Sequence, residues 1–281
     1  MADSETIPSL RSGFGTRWAS AAALLVLIGA LVLLSPPVYR RLGPQVALWV
    51  CDLAVVLIAL VGGVLSAILW RSFGRGEVSR TIWASLTIGL LLWTLGEVIW
   101  AVDQLLLNQS LPQPSAADAA WVLGYVPLTL GMYLRYRSYR IPLRTAWHAA
   151  LLIAAALALG VITVILVLPE LHQTPDSRWL GRAVNILYPV GDLLVAYWAI
   201  LIVSGLAGGT LFSPWRLIAA GYLCVTVSDL IFAYTVRLGL YQVSPASGLN
   251  LPTIASHWLY LASYLSIALG TYFHARLQRA L

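Results

Sequence analysis

TIWASLTIGLLLWTLGEVIWAVDQLLL, residues 81–107, runs for 27 positions with only two charges, Glu97 and Asp103. As an α-helix rising 1.5 Å per residue it would extend roughly 40 Å, more than the hydrocarbon core of about 30 Å. A helix satisfies its own backbone hydrogen bonds, which lipid cannot do. The stretch therefore predicts a transmembrane helix. Seven more blocks of the same kind lie at 18–35, 46–70, 115–134, 147–168, 183–206, 215–238 and 253–275. Over 281 residues, 60% are hydrophobic and 10% charged, against roughly 25% charged in an ordinary soluble domain. This excludes a water-soluble fold and leaves no room for a soluble enzymatic or DNA-binding domain.

The same stretch has a counterpart. WRLIAAGYLCVTVSDLIFAYTVRL, residues 215–238, aligns with it without gaps at an offset of 132, pairing Trp83 with Trp215, Gly89 with Gly221, Thr94 with Thr226, Glu97 with Asp229 and Trp100 with Phe232. The fourth and eighth blocks align at 139, pairing Tyr125 with Tyr264, Gly131 with Gly270 and Arg137 with Arg276. Cys51-Asp52-Leu53 matches Gly191-Asp192-Leu193, and the first and fifth blocks both open on a Trp, Trp18 and Trp147. A self-match at a fixed period marks a repeat. The predicted fold is all-α: an integral membrane bundle of eight transmembrane helices built from two parallel four-helix repeats. The predicted divisions are a cytoplasmic tail over 1–17, a first repeat over 18–140, a second over 141–275 and a cytoplasmic tail over 276–281. An even number of spans per half makes the two halves enter from the same side, related by a pseudo-twofold axis along the membrane normal.

All 17 basic residues are Arg, and the formal charge is +6. Twelve of them fall on the side of the N-terminus when the spans are threaded, among them Arg71, Arg75, Arg80, Arg135, Arg137 and Arg216; five fall on the other side. By the positive-inside rule both termini are expected in the cytoplasm, in a multi-pass protein of the inner (plasma) membrane. The basic charge thus marks topology, and nucleic acid is not an expected partner; membrane lipids are. The first block ends in Ser35-Pro36-Pro37 without a small-x-small cleavage site, which predicts an uncleaved helix. Cys51 and Cys224 fall in different halves at different depths and predict no disulfide.

Six of the 11 acids fall inside predicted spans: Asp52, Glu97, Asp103, Asp118, Asp192 and Asp229. Each isolated charge at a helix centre costs about 2.5–3.5 kcal/mol on insertion scales, so these groups are expected to be protonated, paired or gathered in one cavity. The repeat groups them, with Asp52 opposite Asp192, Glu97 opposite Asp229 and Asp118 opposite His257, one polar triad per half. Helix rise places them in the outer half of the membrane: Glu97 lies 17 residues beyond Arg80, roughly 25 Å along the axis. Aromatic residues share their faces. Trp93, Glu97, Trp100 and Gln104 form one stripe; Asp118, Trp121 and Tyr125 a second; His257, Tyr260 and Tyr264 repeat that spacing; Tyr188 stands four before Asp192. An apolar, aromatic cavity with a few convergent polar groups is the composition of a small-molecule site. The candidate ligand-binding residues are therefore Asp52, Trp93, Glu97, Trp100, Asp118, Trp121, Tyr125, Tyr188, Asp192, Asp229, His257, Tyr260 and Tyr264.

Plainer roles stand beside these. Ser115-x-x-Asp118 after Pro114 has the form of a helix capping box, and Asp103, opposite Thr235, suits a solvated interface position. Trp18, Trp49 and Trp258 suit interface anchors, while His148 and His172 fall at the membrane edge. An acid bonded to a Trp N–H or a Tyr hydroxyl can also simply lock helices together. No Walker loop, His-Glu-x-x-His or Gly-x-Ser-x-Gly occurs. Asp192, Asp229 and His257 are chemically able to bind a metal; the residues specify neither a metal nor a cofactor.

Trp93-Thr-Leu-Gly-Glu97-Val-Ile-Trp100, then Pro112-Gln-Pro114-Ser115-Ala-Ala-Asp118 and Gly124-Tyr125, resembles the multi-span N-terminal membrane region of bacterial GGDEF and GGDEF–EAL (diguanylate cyclase) signalling proteins. Tyr188-Pro189-Val-Gly191-Asp192 and Ser228-Asp229-Leu-Ile-Phe-Ala-Tyr234 are similar to its second-half motifs, and the similarity covers residues 80–275. It implies a membrane-embedded input domain. The sequence ends six residues after the last span without an output domain, so the expected partner is a separate signalling output protein or a larger membrane complex. The leading expectation is a non-enzymatic sensor with an outward-facing pocket. Three alternatives stand beside it: a proton-coupled transporter, a non-enzymatic accessory subunit, and an intramembrane metal-dependent hydrolase.

Overall fold

The computed structural model describes residues 9–105, 114–139, 145–168, 179–206, 208–240 and 250–281, and among these every regular element is a helix. In chain order they are α1 Ser9–Leu33, α2 Pro36–Leu42, α3 Pro44–Ser72, α4 Val78–Leu105, α5 Ala116–Ser138, α6 Thr145–Ile162, α7 Trp179–Gly205, α8 Phe212–Arg237 and α9 Leu251–Leu277. A π-helical turn, Thr163–Val167, continues α6. Each predicted span is a helix, most of them extended by a few residues. The short α2 is the addition. It opens on Pro36 and Pro37, and Gly43, at φ 91°, turns the chain so that Pro44 can start α3. Prolines suit these first-turn positions because the N–H they lack has no partner there.

Among the described residues, six helices are long and apolar enough to cross a membrane, namely the spans Gly15–Leu33, Trp49–Ser72, Val78–Asp103, Ala146–Ile165, Trp179–Gly205 and Phe212–Val236. The chain is a multi-pass membrane protein. α5 and α9 are comparable in length, 23 and 27 residues, but more polar. Packing accounts for that difference. Both turn buried faces to the protein, Ala117, Asp118, Tyr125 and Arg135 in α5 and Ser256, Ser263, Tyr264 and His274 in α9. In contrast, only 6% of the apolar windows of α1 and α6 is buried. Leucines and isoleucines face outward while hydroxyls pair inside, as Ser66 does with Thr87 between α3 and α4 at 2.9 Å.

Six helices form a closed ring: α3 packs on α4, α4 on α5, α5 on α7, α7 on α8, α8 on α9, and α9 back on α3. α1 lies outside it against α9, and α6 against α7. Close approach within the ring depends on glycine. A Cβ on Gly89 of α4 would sit 2.4 Å from the Leu128 side chain and 3.0 Å from the Gly124 carbonyl oxygen of α5; one on Gly221 of α8 would sit 2.6 Å from the Ile267 side chain and 2.7 Å from the Ser263 carbonyl oxygen of α9. Leu128 and Ile267, like Gly124 and Ser263, are 139 positions apart.

One end of the ring is plugged. Trp83 and Trp215 meet at 5.9 Å between centroids, with His274 edge-on to Trp83 at 5.0 Å and the Arg135 guanidinium over Trp215 at 5.1 Å. Arg135 also donates to the Tyr139 hydroxyl. The sequence expectation of a loop arginine is corrected here: Arg135 is 5% exposed within α5, and forms no ion pair among the described residues. Its guanidinium lies over the Trp215 and Tyr139 rings, so it is part of the core. Trp258 likewise does more than anchor an interface, since its indole N–H donates to the Leu27 carbonyl at 3.0 Å and ties α1 to α9.

Candidate functional site

At the opposite end of the ring lies a cavity of about 170 Å³, large enough for a small organic molecule. All thirteen sequence candidates line it. Its walls come from the first halves of α3, α5, α7 and α9 and the last halves of α4 and α8, so the antiparallel order of the helices gathers them at one end. Helix rise had placed the acids at a common depth, and the ring brings them to a common space.

The carboxylates are held by aromatic donors. Glu97 Oε1 accepts from the Trp121 indole at 3.2 Å and the Tyr264 hydroxyl at 2.7 Å. Asp192 Oδ1 accepts from the Tyr125 hydroxyl at 2.7 Å, and Asp118 Oδ1 from the Tyr188 hydroxyl at 2.7 Å. Tyr260 donates to Asp229 Oδ1, whose carboxyl lies within hydrogen-bonding reach of Asp192. His257 Nδ1 stands 3.7 Å from Asp52 Oδ1. Trp93 donates to the Trp121 carbonyl at 3.1 Å and packs edge-on to Tyr125 with centroids 5.3 Å apart. In the bilayer such bonds contribute on average about 0.6 kcal/mol and up to about 1.7.

This pairing links the polar triad of one half of the chain to that of the other. Four of the links join one half of the chain to the other: Tyr125 to Asp192, Tyr188 to Asp118, Tyr264 to Glu97 and His257 to Asp52. The reason is the ring order, which seats α5 beside α7 and α9 beside α3. The grouping of His257 with Asp192 and Asp229 as metal ligands fails for the same reason, as the imidazole faces Asp52. Among the described residues, no three His, Cys, Asp or Glu side chains are placed to hold a metal ion.

Asp118 has both of the roles its sequence context allowed. Its Oδ2 accepts the Ser115 backbone N–H at 2.6 Å while its own N–H donates to Ser115 Oγ at 3.3 Å, a complete capping box. Its other oxygen faces Tyr188 across the cavity. Asp103 is absent from the lining, and the side chain of Gln104, like His172, lies outside the described residues. His148 exchanges a 2.9 Å hydrogen bond with the Tyr136 hydroxyl, away from the cavity. Cys51 and Cys224 are free thiols.

Twelve further lining residues were not among the sequence candidates, and Phe232, Arg182, Asn185 and Pro189 are the ones that shape the site. Phe232 meets Trp100 at 6.1 Å between centroids; the repeat had already paired these two positions, and that register was the signal. Arg182 and Asn185 enter from the first two turns of α7. Arg182 counted as an outer loop charge, and nothing in its spacing marks it as a wall of the site. Pro189, one residue beyond Tyr188, also lines the cavity and deprives the Asn185 carbonyl of its helical donor. Close fit is again set by glycine, since a Cβ on Gly191 would fall 2.6 Å from the Tyr125 ring.

No protein-family model, curated protein or solved structure matches the chain.

Proposed function

We propose that this protein is a membrane receptor that holds a small molecule in the aromatic and acidic cavity and passes its occupancy to a cytoplasmic or membrane partner. The observation that carries this reading is the convergence of thirteen polar and aromatic side chains from both halves of the chain on one cavity. A helix lock needs one or two such bonds. Five carboxylates around shared open space are costly to maintain for packing alone.

In this reading all eight long helices span the inner membrane, α5 and α9 included, because their polar faces are turned inward. The eight make two parallel repeats of four. Support comes from matched contacts at the repeat offsets: Gly89 and Gly221 against α5 and α9, Trp83 against Trp215, and Trp121 to Glu97 matched by Tyr260 to Asp229. The match covers three helices per half, since α1 packs on α9 whereas α6 packs on α7. Both termini are cytoplasmic, following the arginine bias, and the cavity faces outward. The protein acts without catalysis, as the membrane input domains it resembles do, and its output is a separate signalling protein or a larger complex. Links such as Tyr125 to Asp192 and Tyr264 to Glu97 give occupancy a route to move one half against the other.

The lining stops at mid-bundle, at Tyr125, Asp192, Val225 and Tyr264, and the Trp83–Trp215 plug lies beyond. This favours a binding pocket over a transport path. Native mass spectrometry of the purified protein is the test. The wild type is expected to retain a small molecule, and Glu97→Gln combined with Asp229→Asn to lose it. Identical spectra, together with unchanged partner recovery, would overturn the proposal.

A further inference from the structure

Most of the aromatic donors around the cavity are spent. The indoles of Trp93 and Trp121 and the hydroxyls of Tyr125, Tyr188, Tyr260 and Tyr264 each already donate to a protein oxygen, five of the six to carboxylates. Acceptor capacity remains beside them. Asp52 Oδ2 and Asp192 Oδ2 are buried and receive no N–H or hydroxyl donor, in residues 7% and 2% exposed, Asp192 with the Asp229 carboxyl beside it. Both residues line the cavity and occupy matching positions in the two halves. A buried acceptor left without a donor is a cost that a ligand N–H can remove.

Charge points the same way. Five carboxylates line the cavity against one guanidinium, Arg182. An anionic ligand brings further acceptors to a wall already rich in them, and a neutral ligand with a single hydroxyl supplies a donor to at most one of the two oxygens. A cation is attracted by the acids and by the faces of the surrounding Trp and Tyr rings. The remaining wall is apolar, with Val55, Val225, Leu230 and Phe232, which suits a hydrocarbon body better than a long polyamine. Resting on the receptor reading, we infer that the ligand is a protonated organic amine with a small apolar or aromatic body, its N–H groups donating to these two oxygens of Asp52 and Asp192.

The test uses the full-length protein in lipid nanodiscs and three probes of similar size: 2-phenylethylamine, 2-phenylethanol and 3-phenylpropionate. Binding is read by equilibrium dialysis with radiolabelled probe and by the fluorescence of the cavity tryptophans. The amine is expected to bind saturably, at one site, at least tenfold more tightly than the alcohol, with no saturable binding of the carboxylate. Asp192→Asn and Asp52→Asn are each expected to weaken the amine about tenfold and leave the alcohol within about twofold. If either variant fails to fold, the order of the three probes on the wild type decides. Alcohol or carboxylate binding as tightly as the amine overturns the amine assignment and leaves the receptor standing. If no probe binds, native mass spectrometry separates the cases. A retained amine supports the assignment, a retained molecule of another class overturns it, and an empty protein overturns the receptor reading as well.

Discussion

Tyr125 and Tyr264 hold matching positions in the two halves, each donating across to a carboxylate at 2.7 Å, yet removing the two hydroxyls is expected to cost different amounts. Glu97 Oε1 keeps a second donor, the Trp121 indole at 3.2 Å, when Tyr264 becomes Phe. The loss is then one bond of two, about 0.6–1 kcal/mol in a bilayer setting. Asp192 loses the hydroxyl donor on Oδ1 when Tyr125 becomes Phe, and its Oδ2 receives no N–H or hydroxyl donor to begin with. A buried acceptor group stripped of its donor costs about 1–3 kcal/mol, so Tyr125→Phe is expected to cost roughly twice as much as Tyr264→Phe or more. The rings stay the same size, so packing against Gly191 and Trp93 is unaffected. The assay is reversible unfolding in mixed micelles by rising SDS fraction, followed by far-UV circular dichroism. A double-mutant cycle of Tyr125→Phe with Asp192→Leu should give a coupling of about 0.5–1.7 kcal/mol. Equal costs for the two tyrosines, the reverse order, or zero coupling would refute the assignment of these bonds as the joint between the halves.

Two further outcomes test packing and topology. Gly221→Ala forces a methyl to within 2.7 Å of the Ser263 carbonyl oxygen and 2.6 Å of the Ile267 side chain, so α8 and α9 must separate and stability should fall by about 1–3 kcal/mol in the same unfolding assay. Gly160→Ala meets nothing within 4 Å and should leave stability unchanged or raise it by up to about 1 kcal/mol through helix propensity; equal losses at the two sites would show that the α8–α9 contact is not close-packed. For topology, single cysteines replacing Arg41 and Leu251, both exposed, are expected to react with a membrane-impermeant maleimide on intact cells, and those replacing Arg75 and Thr210 only after permeabilisation. The opposite pattern would invert the orientation and turn the cavity to the cytoplasm.

The sequence by itself determined the helices, their approximate limits and the faces of the site. Apolar length is a local property, and a helix fixes both the azimuth and the depth of each side chain through its 3.6-residue turn and 1.5 Å rise. Hence Trp93, Glu97 and Trp100, or His257, Tyr260 and Tyr264, could be assigned to one wall from spacing alone. Spacing along one helix does not reveal which helix stands opposite. Only the tertiary structure seated α5 beside α7 and α9 beside α3, sending Tyr125 to Asp192 and His257 to Asp52. It also drew Arg135 out of the loop charges and into the core against Trp215, and brought Arg182 into the cavity wall. An arginine near a helix end reads the same in sequence whether its head reaches water or lies on an aromatic face, because that choice belongs to the neighbouring helices.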